Sequence, residues 1–401
     1  MDTRIPPMLV VFAAAVAAPL VGELTRRFGL AVVVLELLLG VAIGPHGLGW
    51  AAPVGGVPYF AILGMAFLFF IAGLEIDLEA IGAKPLSLAI IGWLVVFLLA
   101  GAAAAGLHAA GLVHSWGVVA IALATTTLGV LVPIMRDSAT LGTPFGRSVM
   151  ALGAVGELGP ILAMSLALSR RHTVPAQTAF TLAFLAIVIA VAWLLVQGGS
   201  VPRILGLLRR TMTQSSQLPV RTILLLVGAL ALLAESLGLD LVLGALAAGM
   251  IIALATRGLD KQVLHHKVDA LGFGFLVPVF FITSGMRLEV GAIFASGAGL
   301  ALTAAFFAAL LAVRLPLYLL YLRMFGGRQS AALTLYSATT LSLVVALTQV
   351  AVENHLMQAT EAAPLVGGAM LTVIFFPPIA LRLTGHSVRE AMASARHRDG
   401  L

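Results

Sequence analysis

Charge is scarce in this chain, at 10% of its 401 residues, and cysteine is absent. Without cysteine there are no disulfides, thiolate metal sites or cysteine nucleophiles. Ordinary soluble domains carry about 25% charged residues, so a chain this poor in charge is not built to face water on all sides. No glycine-rich phosphate-binding loop is present, which argues against an ATP-driven pump. No Ser/His/Asp arrangement stands out as catalytic, and the histidines lack metal-ligand spacing. Neither an enzyme nor a resident cofactor or metal is expected. The net charge of +6 comes from basic residues scattered through short loops, so a nucleic-acid partner is not expected either.

What is present is apolar. Hydrophobic residues make up 61% of the chain and the mean hydropathy is +1.10. The runs suit membrane-crossing helices rather than barrel strands. The expected architecture is an all-α polytopic membrane protein of about thirteen helices, with the lipid bilayer as its partner and the cell membrane as its place. The runs lie near 7–24, 30–44, 58–76, 84–108, 116–134, 145–169, 176–197, 219–237, 239–256, 269–289, 294–318, 330–352 and 362–384. With the N-terminus outside and the C-terminus inside, 18 of the 23 basic residues fall on inside segments and 4 (Arg4, Arg170, Arg171 and Arg287) outside. Arg314 is left over, within a run. The inside set includes Arg26, Arg27, Lys84, Arg136, Arg147, Arg203, Arg209, Arg210, Arg257, Lys261, Arg323 and Arg389. Arg4 and Ala15–Ala18 also fit a cleaved signal peptide, but Pro19 and an internal repeat argue against it.

The chain repeats itself. Phe69-Phe-Ile-Ala-Gly-Leu-Glu-Ile-Asp77 resembles Phe280-Phe-Ile-Thr-Ser-Gly-Met-Arg-Leu-Glu289, and Leu123-Ala-Thr-Thr126 resembles Ser337-Ala-Thr-Thr340. Glu23 and Gly40 pair loosely with Glu235 and Gly249. Six helices in residues 1–170 would then recur in 219–385, with 171–218 as linker helix and inside loop and 386–401 as a cytoplasmic tail. The odd number of helices between equivalent positions makes the repeats inverted, as in many secondary transporters.

The chemistry concentrates in Gly153-Ala-Val-Gly-Glu157-Leu-Gly-Pro160. Glu157 lies about 15 Å along its helix from Arg147, and Arg314 about 13 Å from Arg323, on the rise of 1.5 Å per residue. Both therefore fall near the midplane of a core about 30 Å thick. A carboxylate there costs about 2 to 3 kcal/mol or more, so a task is expected of it. The two charges invite pairing, either as a ligand set or as a static salt bridge. Thr125, Thr126 and Thr127, with Gly129 and Pro133, make a poor helix centre, and Thr339 and Thr340 stand at the equivalent place. A pair of interrupted helices points to a binding site, where carbonyls and hydroxyls suit a desolvated cation. The plainer reading is that the threonines only back-bond to their own helices. Glu36 is a second-shell acid or, on the plainer reading, a helix-packing hydrogen bonder. Glu23, Glu75, Asp77, Glu235 and Glu353 read as interfacial, with Glu75 or Asp77 able to attract cations at the inside mouth.

At these residues the sequence resembles the monovalent cation:proton antiporters of the Kef type, the second large antiporter family. Gly29-Leu30, Leu35-Glu36, Gly40-Val-Ala-Ile-Gly-Pro45 and Gly47-Leu-Gly49 look like its second-helix signature. Phe69–Asp77 looks like the third-helix signature, and Leu141-Gly-Thr-Pro-Phe-Gly-Arg147 like the lead-in to the ion-binding helix. The resemblance implies thirteen helices in inverted repeats, two crossing broken helices, a homodimer, and Glu157 in place of the family's ion-binding aspartate. It also implies Arg314 as the basic residue of the long helix in the second half, and Thr126 at or beside a broken-helix position where some members have an acid. Members usually carry an acid or amide pair, whereas this chain has Gly156-Glu157. A nucleotide-binding regulatory domain like that of potassium-efflux members is not expected.

The expected function is exchange of a monovalent cation, sodium or potassium, for a proton by alternating access. One carboxylate, Glu157, takes either ion, and the exchange is electroneutral. The alternative is a proton-coupled exporter of an organic cation or ionophore on the same fold, with Gly156 leaving room for the larger cargo. A channel-like potassium efflux unit and a non-transporting scaffold fit less well.

Overall fold

The structure is a computed structural model that describes residues 6–24, 31–76, 81–138, 140–167, 174–197, 217–256, 261–294 and 297–385. Outside these lie Arg4, Arg26, Arg27, Gly29, Leu30, Asp77, Arg170, Arg171, Arg203, Arg209, Arg210, Arg257, Arg389, Arg396, Arg398 and the expected tail 386–401. The side chains of Pro133, Arg136 and Lys261 also lie outside the description.

The described elements are helical, and no strand occurs among them. The first six are α1 (Pro7–Leu24), α2 (Val32–Ile43), α3 (Val57–Glu75), α4 (Ala83–Ala109), α5 (Trp116–Leu123) and α6 (Leu128–Asp137). Then come α7 (Pro144–Ala167), α8 (Val174–Gln197), α9 (Leu218–Ser236), α10 (Leu241–Ala255), α11 (Lys261–Leu271) and α12 (Val277–Arg287). The last are α13 (Gly291–Phe294), α14 (Gly297–Ala312), α15 (Leu315–Ala338), α16 (Ser342–Glu353) and α17 (Ala359–Leu383). Hydrocarbon offers the backbone no water, so long apolar runs close their own hydrogen bonds as helices. Among the described residues 8 helices are long and apolar enough to cross a membrane. Leu20, Leu98, Leu225 and Leu319 face outward while Thr125, Glu157, Arg314 and Thr340 are buried, the reverse of a soluble domain.

Within the described residues every expected apolar run falls mainly on helix, and three of the runs carry an internal break. Run 116–134 is α5 and α6 with residues 124–127 unwound between them. Run 330–352 is the end of α15 and the start of α16, with 339–341 unwound. Threonines stand at both breaks. Their branched side chains and hydroxyls compete with regular helix. A further break falls at Arg314, between α14 and α15, where Pro316 cannot donate an N–H. Gly326, at φ 74°, divides α15 where runs 294–318 and 330–352 are separated in the sequence.

The contacts divide the chain into two compact units, Met1–Pro53 with Leu78–Pro160 and Ile282–Leu401, and Val54–Asp77 with Ile161–Phe281. In the first, α2 lies on the end of α12 with backbones almost touching. A Cβ on Gly40 would sit 2.0 Å from the Ile282 carbonyl oxygen, and one on Gly285 2.1 Å from that of Leu37. In the second, α10 lies on α3 in the same manner. A Cβ on Gly249 would meet the Phe70 oxygen at 2.0 Å, and one on Gly73 the Leu246 oxygen at 2.2 Å. Only glycine permits such an approach.

Candidate functional site

The two breaks meet inside the first unit. Thr127 N donates to Thr339 O at 3.1 Å, and Leu341 N donates to Thr127 Oγ1 at 3.1 Å. Thr126 Oγ1 donates to Ser337 O at 2.7 Å. Thr125 Oγ1 donates to Ala122 O at 2.7 Å and accepts from Thr340 Oγ1, also at 2.7 Å. Thr340 N donates to Thr372 Oγ1 on α17 at 3.1 Å. The back-bonding of the plainer reading is therefore present, and beyond it the threonine hydroxyls bond across the two breaks and hold them together.

The helix that carries Glu157 lies against this crossing along a strip of glycines. A Cβ on Gly153 would meet Leu128 Cδ2 at 2.4 Å, one on Gly156 would meet Thr126 Oγ1 at 2.6 Å, and one on Gly159 would meet the Trp93 ring at 2.4 Å. Pro160 cannot donate to the carbonyl four residues back, which is that of Gly156. That oxygen accepts instead from Thr126 N at 2.9 Å. Trp93, from α4, donates Nε1–H to Ala124 O at 3.2 Å.

Glu157 is 2% exposed. Its Oε2 accepts from Leu128 N at 3.2 Å, the first amide of α6. A half-helix start presents unpaired N–H groups and partial positive charge, a fit for an anion. No donor among the described residues reaches Oε1.

Arg314 does not pair with Glu157, contrary to expectation. Nε donates to Ser337 O at 2.6 Å, and one terminal nitrogen donates to Leu123 O at 2.7 Å and to Leu310 O at 2.9 Å. The other terminal nitrogen donates to Thr125 O. The guanidinium thus caps the C-terminal ends of α5 and α15, where carbonyls lose their helical partners and the dipole is negative. The breaks create more acceptors than one carboxylate offers, and Arg314 takes them. The carbonyls expected as cation ligands are in good part occupied: Leu123, Ala124, Thr125, Ser337 and Thr339 each accept from a protein donor.

Glu36 is buried on α2 and its Oε2 has no hydrogen-bond partner among the described residues. No described hydrogen bond or ion pair joins it to Glu157. Glu353, expected as interfacial, pairs with Arg287. Sequence reasoning passed over Trp93 and Thr372, and read Ser337 only as part of the repeat. Trp93 and Thr372 carry no local pattern, whereas Gly153, Gly156 and Gly159, each three residues apart, were a legible signal of close contact.

The family profile described as "Sodium/hydrogen exchanger, transmembrane" matches residues 11–383. The chain belongs to the sodium/hydrogen exchanger family. The provisionally named Na(+)/H(+) antiporter YjbQ of Bacillus subtilis is 25% identical over 394 residues, covering 94% of this chain and 62% of that protein. The chain thus spans less than two thirds of that relative's length. An Enterococcus hirae protein named Na(+)/H(+) antiporter is 27% identical over 285 residues, covering 68% of this chain and 71% of its own. The Na(+)/H(+)-K(+) antiporter GerN of Bacillus cereus is 26% identical over 275 residues, covering 67% and 68%. Among solved structures, the sodium proton antiporter MjNhaP1 from Methanocaldococcus jannaschii at pH 8 matches with a TM-score of 0.59 at 14% identity. That match covers 94% of this chain and 99% of the other, and it establishes the exchanger fold. The exchanger family is a family of transporters, in keeping with the expectation of no enzyme.

Proposed function

We propose that this exchanger swaps a monovalent cation, sodium or potassium, for a proton, with Glu157 carrying either one. The observation behind this is the state of the crossing. Its threonine hydroxyls and its arginine have protein partners, and among its described side chains the Glu157 carboxylate keeps an oxygen, Oε1, free of protein donors. A single carboxylate binds one proton or one monovalent cation, so the exchange is one for one and electroneutral. Sodium and potassium both stand as cargo because the relatives' names mention both. A Kef-type place within the family, a cell-membrane location, a homodimer and an N-out, C-in orientation belong to the same reading.

The core alternates between the two sides through inverted repeats, residues 1–170 and 219–385. The glycine contacts support this pairing. Gly40 and Leu37 correspond to Gly249 and Leu246 at an offset of 209, and Phe70 and Gly73 to Ile282 and Gly285 at 212. The organic-cargo alternative loses its argument, because Thr126 fills the space beside Gly156.

The test is cation-driven proton movement in vesicles holding the purified protein, with sodium, potassium and lithium in turn and Glu157→Gln alongside. The expected result is proton movement with sodium or potassium, unaffected by an imposed membrane potential and abolished in Glu157→Gln. Proton movement that survives the substitution removes Glu157 from the role. Movement with none of the three ions returns the search to other cargo.

A further inference from the structure

The first unit holds a cavity of about 80 Å³ bounded by α2, α12, α16 and α17. Its walls include Leu37, Ser284, Val345 and Ala362. Leu37 is 1% exposed, Val345 3% and Ala362 6%. Arg287 and Glu353 also line it, with side chains 30% and 54% exposed, so they form its mouth. There they make an ion pair between the ends of α12 and α16. A polar chain backs the pair: Gln349 Nε2 donates to Glu353 Oε1 at 3.3 Å, and Ser284 Oγ donates to Gln349 Oε1 at 3.1 Å.

The cavity follows α16 inward. Glu353 and Val345 lie eight residues apart, about 12 Å along the helix. Val345 is one turn from Leu341, its N donating to Leu341 O at 2.9 Å. Leu341 N in turn donates to Thr127 Oγ1, and the next residue, Leu128, holds Glu157. The wall therefore ends one helical turn from the break on which the carboxylate rests. On the count of basic residues this mouth faces outside.

We propose that this cavity is the outer access route to Glu157, and that the Arg287–Glu353 ion pair is the latch that closes it. The inference rests on the exchange reading above. A latch that opens in every transport cycle must be weak. A partly exposed ion pair contributes only about 0.2 to 1 kcal/mol, a factor of about 1.4 to 5 in the balance of open and closed forms. Closed, the pair bridges α12 to α16 and neutralises the Glu353 carboxylate at the mouth. Open, it leaves Glu353 and Glu289 facing an arriving cation.

The chain has no cysteine, so single reporters can be read without background. Val345→Cys in reconstituted vesicles is exposed to a membrane-impermeant methanethiosulfonate from one side and then the other. It should be labelled from the outside, and adding Arg287→Gln should speed labelling by a factor of about 1.4 to 5. Arg287→Lys should restore a rate near that of the parent. Ala362→Cys is the second reporter if Val345→Cys does not fold. Labelling from the inner side alone, no labelling of either reporter, or a rate indifferent to Arg287→Gln overturns the latch. Cation-driven proton movement is measured on the same vesicles. Its absence beside latch-dependent labelling strikes the exchange reading and leaves the access route standing.

Discussion

Gly156 is the residue that fits this site to its neighbours. A β-carbon there would lie 2.6 Å from Thr126 Oγ1 and 2.7 Å from Thr126 Cβ, inside any allowed contact. Gly156→Ala should therefore push the Glu157 helix off the break and lower stability by about 1 to 3 kcal/mol, the usual range for overpacking. Thermal unfolding in detergent would show the loss, and transport should fall with it. An unchanged melting temperature would mean that the crossing yields where the geometry says it does not. Arg314 separates two readings in the same way. As a counter-ion to Glu157, lysine would serve nearly as well. As a cap on four carbonyls, it needs the planar fork of donors that only arginine has. Arg314→Lys should then melt well below the parent, leaving buried acceptors unmet at about 1 to 3 kcal/mol for each lost partner.

Elements add a level that composition alone did not disclose. Both breaks were legible, because three threonines in a row at 125–127 and a pair at 339–340 conflict with the apolar helices around them. What each break grips was not legible, since Thr372, Trp93 and Arg314 come from elements far along the chain. The start of α5 shows the same limit. Glu361, in the first turn of α17, accepts from His114 N at 2.6 Å and from Ser115 N at 3.3 Å, just before α5 begins. Its carboxylate also bonds His114 Nδ1 at 2.9 Å and the Ser115 hydroxyl. A buried acid at a helix start complements the positive end of the dipole. Glu361→Gln keeps the shape and removes the charge. It should lower stability by about 1 to 3 kcal/mol. Hydrogen exchange read at residues 114–120 should accelerate, while α10, in the other unit, should not respond.

At the scale of the whole molecule the repeat proposed above was only partly visible in the sequence. Matching short motifs such as Phe69–Asp77 and Phe280–Glu289 gave the offset, but apolar stretches match by chance, and the motifs do not say which helices touch. The contacts do. Gly285 admits the Leu37 carbonyl to α12, and Gly73 admits the Leu246 carbonyl to α3, at positions 212 and 209 residues apart. If both halves descend from one pattern, equivalent lesions should have equivalent effects, although they fall in different compact units. Gly73→Val and Gly285→Val each place a branched side chain against a carbonyl about 2 Å away. Each should lower the melting temperature in detergent to a similar extent, by a core-overpacking penalty of about 1 to 3 kcal/mol or more. Gly101→Val, where a Cβ meets nothing within 4 Å, is the control and should melt with the parent. A large effect at one glycine and none at its counterpart would show that the shared offset carries no shared packing. The case for two equivalent halves turning about one carboxylate would then lose its structural support.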